Sequence, residues 1–233
     1  MTAPSPKQPA QPALPLLYSH RRCPYAMRAR MALLQAQRAF RVQEVVLRDK
    51  PAALRAISPK ATVPVLQLPD GRVLEQSWDI MRWALTADAV DHPAGWWQRA
   101  QSADNMALLH GNDGAFKQLL DRYKYADRAR PLAPGDPLDR DAVRNEAVTS
   151  WLVPLEARLQ AEPQLGGATP CATDLALFPF VRQFAAVDAA WFAALALPAL
   201  QAWLAAWLGS ALFSACMARV ASGAVVDFPL PPG

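Results

Sequence analysis

The chain has 233 residues, enough for one large domain or two small ones, and 52% of them are apolar, which allows a sizeable core. Its net charge of +4 is mild and its arginines are scattered, with no basic stripe interleaved with aromatics, which argues against nucleic-acid binding. Three widely spaced cysteines make no disulfide framework, and residues 1–15 carry prolines but no apolar core of signal-peptide length, so the reading is a reducing, cytoplasmic setting.

The elements read as follows in chain order. Residues 1–13 form a flexible tail. Leu14–Tyr18 is an apolar strand run, and Pro24–Gln37 has helical spacing through Met27, Met31 and Leu34. Arg41–Leu47 alternates as a strand, and Pro51–Ile57 is a short helix with proline in its first turn. This is a βαβ unit, so the two strands should be parallel. Val63–Leu68 and Arg72–Leu74 flank a Pro69-Asp70-Gly71 turn as a hairpin, and Ser77 opens a helix to about Leu85. Asp88–Gly95 reads as a linker. From Trp96 onward helical spacing dominates, with breaks at Pro131–Pro137, Glu162–Pro170 and Pro198 and no strand alternation of useful length. The apolar stretch Ala189–Leu208 is divided by Pro198, which fits two buried helices better than a membrane span. The expected architecture is α/β followed by all-α, with an α/β domain over 14–88 and an all-helical domain over 96–225.

Cys23-Pro24-Tyr25-Ala26 is the stretch best placed for chemistry. It joins a strand to a helix, where unpaired backbone N–H groups and a partial positive charge favour a thiolate. A thiol there can fall from about 8.5 to somewhere in the range of roughly 3.5–7.5. Arg21, Arg22 and Arg28 add positive charge nearby in the chain. Ala26 stands one turn after Cys23, so no local disulfide can close.

Other residues carry open alternatives. Val63-Pro64 is either a trans proline at an edge strand or a cis bond that turns the Val63 backbone towards a ligand. Gln76-Ser77 is either a plain helix cap or an anion site made of a hydroxyl and helix N–H groups. Lys50 is a solvated lysine or an anion contact, and Tyr25 is a packing residue or a groove wall. Phe116, Tyr123, Lys124 and Tyr125 are helix-packing residues or part of a pocket. Cys171 and Cys216 read as small buried hydrophobes, and no histidine has metal-ligand spacing, so no metal is expected.

The order of these signals resembles the glutathione S-transferase superfamily over nearly the whole chain. The residues that carry it are Cys23-Pro24-Tyr25-Ala26, Asp49-Lys50-Pro51, Ala61-Thr62-Val63-Pro64-Val65-Leu66, Glu75-Gln76-Ser77-Trp78-Asp79-Ile80 and, in the second half, Asp174–Phe180. Cys-Pro-Tyr-Ala is similar to the omega-type, glutaredoxin-like branch, which uses cysteine where most other members use tyrosine or serine. The resemblance implies a thioredoxin-like N-terminal domain, a C-terminal helical bundle, a homodimer, and glutathione as co-substrate. It implies that Cys23 forms a mixed disulfide with glutathione, that Val63 before a cis Pro64 pairs with its cysteinyl backbone, that Gln76 and Ser77 hold its γ-glutamyl end, and that Lys50 reaches its glycyl carboxylate. Phe116, Tyr123 and Lys124 would line the second-substrate pocket.

Two positions depart from the family pattern. Gln76 stands where an acidic residue usually precedes the serine, and Cys171 stands where a hydroxyl residue usually caps the helix of Asp174. Asp174 therefore reads as structural. The implied activity is a glutathione-dependent thiol transferase or dehydroascorbate reductase acting on a small-molecule or protein disulfide acceptor. A non-catalytic glutathione-binding protein on the same fold is the alternative, and a glutathione-dependent isomerase or dehalogenase is a third.

Overall fold

The structure is a computed structural model that describes residues 14–86, 95–125 and 139–229. The tail over 1–13, nearly all of the linker over 88–95 and the break at 131–137 lie outside the described residues.

The first part of the chain runs β1 (Leu16–Ser19), α1 (Pro24–Gln35), β2 (Phe40–Glu44), α2 (Ala52–Ile57), β3 (Val65–Gln67), β4 (Val73–Leu74) and α3 (Ser77–Thr86). β1 and β2 are parallel, while β3 runs antiparallel to β1 and β4 antiparallel to β3. A βαβ crossover feeding a hairpin gives a thioredoxin-like sheet. The period-2 alternation of the strands divides its faces. Leu17, Val42 and Leu66 join the main core with α1 and α3, while Tyr18, Val45 and Val65 pack with Leu54 of α2 on the other side.

α1 ends before the expected Gln37 for a local reason. Gln37 adopts φ 51°, and the Gln37 and Arg38 N–H groups donate back to Leu34 O and Leu33 O at 2.9 Å each. This is a Schellman stop made by glutamine instead of glycine. Ser77 is the first helical residue of α3 instead of its cap: the Gln76 carbonyl accepts the first helical bond, from Ile80 N–H at 3.0 Å.

The second part is helical: α4 (Trp96–Arg99), α5 (Ala103–Gly111), α6 (Lys117–Lys124), α7 (Arg140–Ala147), α8 (Val153–Ala161), α9 (Ala172–Ala185), α10 (Ala189–Ala193), α11 (Pro198–Leu208) and α12 (Ala211–Cys216). α5 passes into α6 through a π-helical turn, Asn112–Phe116, and α7 into α8 through another, Val148–Leu152. The turns meet where Phe116 stacks on Trp151, with ring centroids 5.6 Å apart. Pro198 does divide the long apolar stretch into α10 and α11, but each buries one face only: Phe192 in α10, and Leu200, Trp203, Leu204 and Trp207 in α11. Among the described residues no helix is long and apolar enough to cross a membrane.

The chain does not end in the helical layer. β5 (Val225–Phe228) returns to pair antiparallel with β2, so the sheet order is β4-β3-β1-β2-β5. The sequence reading missed this strand. Four residues give too little alternation to register, and what fixes them is tertiary. The buried Phe228 ring lies 5.3 Å from the Phe40 ring and under the Arg30 guanidinium. Burial of such a ring is worth about 1.5–3 kcal/mol.

α9 is the hub of the helical layer. Its Asp174 is fully buried and accepts from four donors: the N–H groups of Leu165 (2.8 Å), Gly166 (3.2 Å) and Cys171 (3.0 Å), and Trp203 Nε1 (3.1 Å). Burial still pushes its carboxyl above the usual range. The loop over 165–171 wraps so closely that a Cβ on Gly166 would overlap the Cys171 sulfur and stand 2.9 Å from Asp174 Oδ2. Gly166→Ala should therefore cost about 1–3 kcal/mol, read as a fall of several degrees in thermal midpoint. Cys171→Ala in the same chain should recover part of the loss, and no change in midpoint for Gly166→Ala alone would contradict this packing.

Candidate active site

Cys23 is the N-cap of α1, with Pro24 in the first turn. Its N–H donates to His20 O and its carbonyl accepts from Met27 N–H, both at 2.9 Å. The turn after β1 and the start of α1 thus fix its backbone from both sides. Its thiol donates to the Val63 carbonyl at 3.7 Å. The Val63-Pro64 peptide is cis, so the trans alternative is excluded. The thiol and the Val63 carbonyl face each other across the gap between α1 and β3.

The thiol is not depressed, contrary to the expectation from its position. Burial pushes Cys23 above its ordinary value, and this outweighs the N–H groups of Ala26 and Tyr25 and the charges of Lys117 and Lys124, which lower it. The nearby arginines do not act as the sequence suggested. Arg28 is buried and turned away, with its guanidinium on the Asp113 carboxylate at 2.6 and 2.8 Å and on Ala176 O at 2.7 Å. Arg21 reaches Met217 O.

Tyr25 is half-buried beside the thiol. Its ring meets Phe180 edge-on at 4.9 Å and lies 5.2 Å from the Arg28 guanidinium. Burial, helped by Asp113, pushes its hydroxyl up to about 12. Tyr25 is a neutral hydroxyl at physiological pH, so Cys23 is the group whose ionisation matters there. The other thiols have structural surroundings. Cys171 is buried against Gly166 O at 4.0 Å, and Cys216, pushed up to about 12 by burial, contacts Met27 O at 3.9 Å.

Cys23 opens on a cleft of about 870 Å³ between the sheet domain and the helical layer, bounded by the start of α1, α6, the start of α7 and the end of α9. Tyr25 and Lys124 line it, as does Tyr125. Phe116 and Tyr123 do not. Both are fully buried among Trp151, Phe184 and Trp191, on the inner side of the same helix. The helical spacing that groups Phe116 and Tyr123 with Lys124 does not say which side faces the cleft. Lys117, Arg140 and Arg182 also line the cleft and were not singled out from the sequence. Their signal was diffuse: three cations on three helices, one of them inside the apolar run of α9.

The remaining candidates do not line this cleft. Gln76 is exposed and Ser77 buried at the start of α3. The preceding Glu75 is held by the Ser58 hydroxyl, which donates to it at 2.5 Å. Lys50 lines a separate depression of about 490 Å³ with Glu44, Asp49, Arg55 and Ser222. Among the described residues no group of His, Cys, Asp and Glu side chains is placed to hold a metal.

A thioredoxin-like sheet with a thiol at its first helix, backed by a helical layer that walls the cleft, defines the class of fold. Residues 22–87 match the glutathione S-transferase N-terminal domain. The whole chain has the glutathione S-transferase fold. It is similar to the theta class glutathione S-transferase of Xanthomonas axonopodis pv. citri, solved with glutathione bound, at 24% identity and TM-score 0.68, covering 90% of this chain and 99% of that one. It is similar to a glutathione S-transferase III in apo form, at 23% identity and TM-score 0.69 over 95% and 100% of the two chains. A glutathione transferase family member from Pseudomonas fluorescens pf-5, solved with two glutathione bound, is 19% identical with TM-score 0.67 over 90% and 94%. At these identities the likeness is one of fold. No curated protein sequence matches the chain.

The raised thiol gives a direct test. Alkylation of Cys23 by iodoacetamide, followed by peptide mass mapping, should rise with pH through and beyond about 8.5, the value of an ordinary thiol. Lys124→Gln should move the midpoint higher still, because it removes a cation that favours the thiolate. A midpoint below the ordinary thiol value of about 8.5 would contradict this balance.

Proposed function

We propose that the protein is a glutathione-dependent thiol transferase of omega-like type, working through one cysteine. The observation that carries this reading is the placement of Cys23: at the start of α1, donating to Val63 O at 3.7 Å, open to a cleft, and with Ala26 where a resolving thiol would stand. The two other thiols are buried elsewhere. The glutathione bound in two similar structures supports the choice of thiol.

In this reading the Cys23 thiolate attacks the glutathionyl sulfur of a mixed disulfide. A Cys23–glutathione disulfide forms and the acceptor leaves as its own thiolate. A second glutathione thiolate then attacks the glutathionyl sulfur, glutathione disulfide leaves, and the Cys23 thiolate is regenerated. Bound glutathione would pair its cysteinyl backbone with Val63, set its γ-glutamyl end on Gln76 and Ser77, and direct its glycyl carboxylate towards Lys50. Gln76 offers an amide where a carboxylate is usual in the family, so the contact to the ammonium would be a neutral hydrogen bond.

Incubation with oxidised glutathione should give a single glutathionyl adduct by intact mass, located on Cys23 and lost on adding reduced glutathione. Cys23→Ala should abolish the adduct and lower turnover of glutathionyl disulfides on the order of 1000-fold or more. Glutathione binding with no adduct and no turnover would favour a binding protein on this fold instead.

A further inference from the structure

Small-molecule clefts are ordinarily lined mostly by apolar side chains with a few polar groups. The cleft beside Cys23 departs from this. Among the described residues, Arg22, Lys117, Lys124, Arg140 and Arg182 line it, against a single carboxylate, Asp121. Lys117 and Asp121 pair with each other. The other four have no carboxylate partner among the described residues. Lys124 lies 4.8 Å from the Tyr125 ring, Arg140 5.0 Å from the Tyr123 ring and Arg182 5.3 Å from the Phe213 ring. These ring contacts fix the side chains without neutralising them.

The four cations also come from separate places: the turn before α1, the end of α6, the first residue of α7 and the last turns of α9. A solvated helix face would put its charges on one element. Here four elements converge on one concavity, and Lys124 and Arg182 are half-buried in it. Cations focused in a cleft with low-dielectric walls raise the local concentration of anions, and arginine forks fit carboxylate and phosphate oxygens.

We propose that the second substrate of this site is a small acceptor that carries at least two anionic groups, carboxylate or phosphate, on the side of the sulfur away from glutathione. This rests on the thiol-transferase reading for its chemistry, but the ligand class follows from the cleft alone. A neutral, greasy electrophile would leave the four cations without a counter-charge.

The test uses one series of mixed disulfides of glutathione, with the glutathione half constant. The partners are mercaptosuccinate, 2-mercaptoethyl phosphate, neutral 2-mercaptoethanol and cationic cysteamine. Binding is measured by calorimetry on Cys23→Ala, where no exchange occurs, and kcat/KM on the native chain. The mercaptosuccinate or the phosphate compound should bind about 10-fold or more tighter than the mercaptoethanol compound, the cysteamine compound should bind weakest, and the preference should shrink at high salt. The better of the two anions tells carboxylate from phosphate. Arg22→Gln with Lys124→Gln should lower the anion-to-neutral ratio about 3-fold or more, with Arg140 and Arg182 keeping the remainder; neither substituted side chain makes a hydrogen bond or ion pair among the described residues, so the fold should survive the change. Equal binding of the anionic and neutral compounds would overturn the inference while leaving glutathione binding intact. The expected binding order without turnover would support the inference and overturn the thiol-transferase reading. No binding of any compound would overturn both.

Discussion

The buried guanidinium of Arg28 is the constraint on which the rest depends. It sits one turn into α1, a helix covered on several sides: α3 packs against it, as do α9 and α12. A charge there has no access to water, and the cost of burying it amounts to several kcal/mol. It is offset by a bidentate pair with Asp113, a hydrogen bond to Ala176 O in α9, and the face of Phe180 at 4.4 Å. Each partner imposes a condition. Asp113 lies in the π-helical turn between α5 and α6. Ala176 lies just before Pro179, whose missing N–H loosens the helical bonding of that turn. The joint between the sheet domain and the helical layer is thus organised around one cation.

That joint also sets the chemistry of the cleft. Tyr25, three residues before Arg28, is held between the guanidinium and Phe180, which fixes it as a wall beside the thiol. Because Arg28 is spent on Asp113, it does nothing for the thiolate. Arg30 is committed in the same way, on the far side of α1, to Cys216 O at 3.2 Å and Glu44 at 3.4 Å, under the ring of Phe228. Arg28 and Arg30 therefore hold elements together, while Arg22, next to Cys23 in the sequence, lines the cleft. The cations that lower the Cys23 thiol, Lys117 and Lys124, come from some hundred residues along the chain.

This separation explains what could and could not be read from the sequence. Proline, glycine and period-2 runs are local signals, and they gave the order of strands and helices through α3 correctly. β5 was lost because its four residues owe their conformation to Phe40 and Arg30. Cys23, Tyr25 and Lys124 were found at the cleft because the chemistry of a helix start and of a surface lysine is local. Phe116 and Tyr123 were misassigned to it because helical spacing cannot tell the cleft side from the core side. Arg182 was hidden in an apolar helix. The ionisation of Cys23 was misjudged for the same reason: the helix terminus is visible in sequence, and the burial that outweighs it is not.

A thiol raised by burial has consequences for disulfide exchange in both directions. Its thiolate is scarce at neutral pH but is intrinsically a stronger nucleophile, so the two effects partly cancel in the attacking step. They do not cancel when Cys23 is the leaving group, because a thiol of high pKa leaves slowly. On the proposed cycle, release from the mixed disulfide is the step that most needs positive charge near the sulfur. Lys124 is one of the cations that would hold an anionic acceptor, and it is also one of those that favour the Cys23 thiolate. While the acceptor occupies the cleft its anions compete for that charge. Once the acceptor has left, Lys124 is free to stabilise the departing Cys23 thiolate. The same cation would then serve first to recruit the acceptor and afterwards to release the enzyme, which orders the half-reactions without a second cysteine.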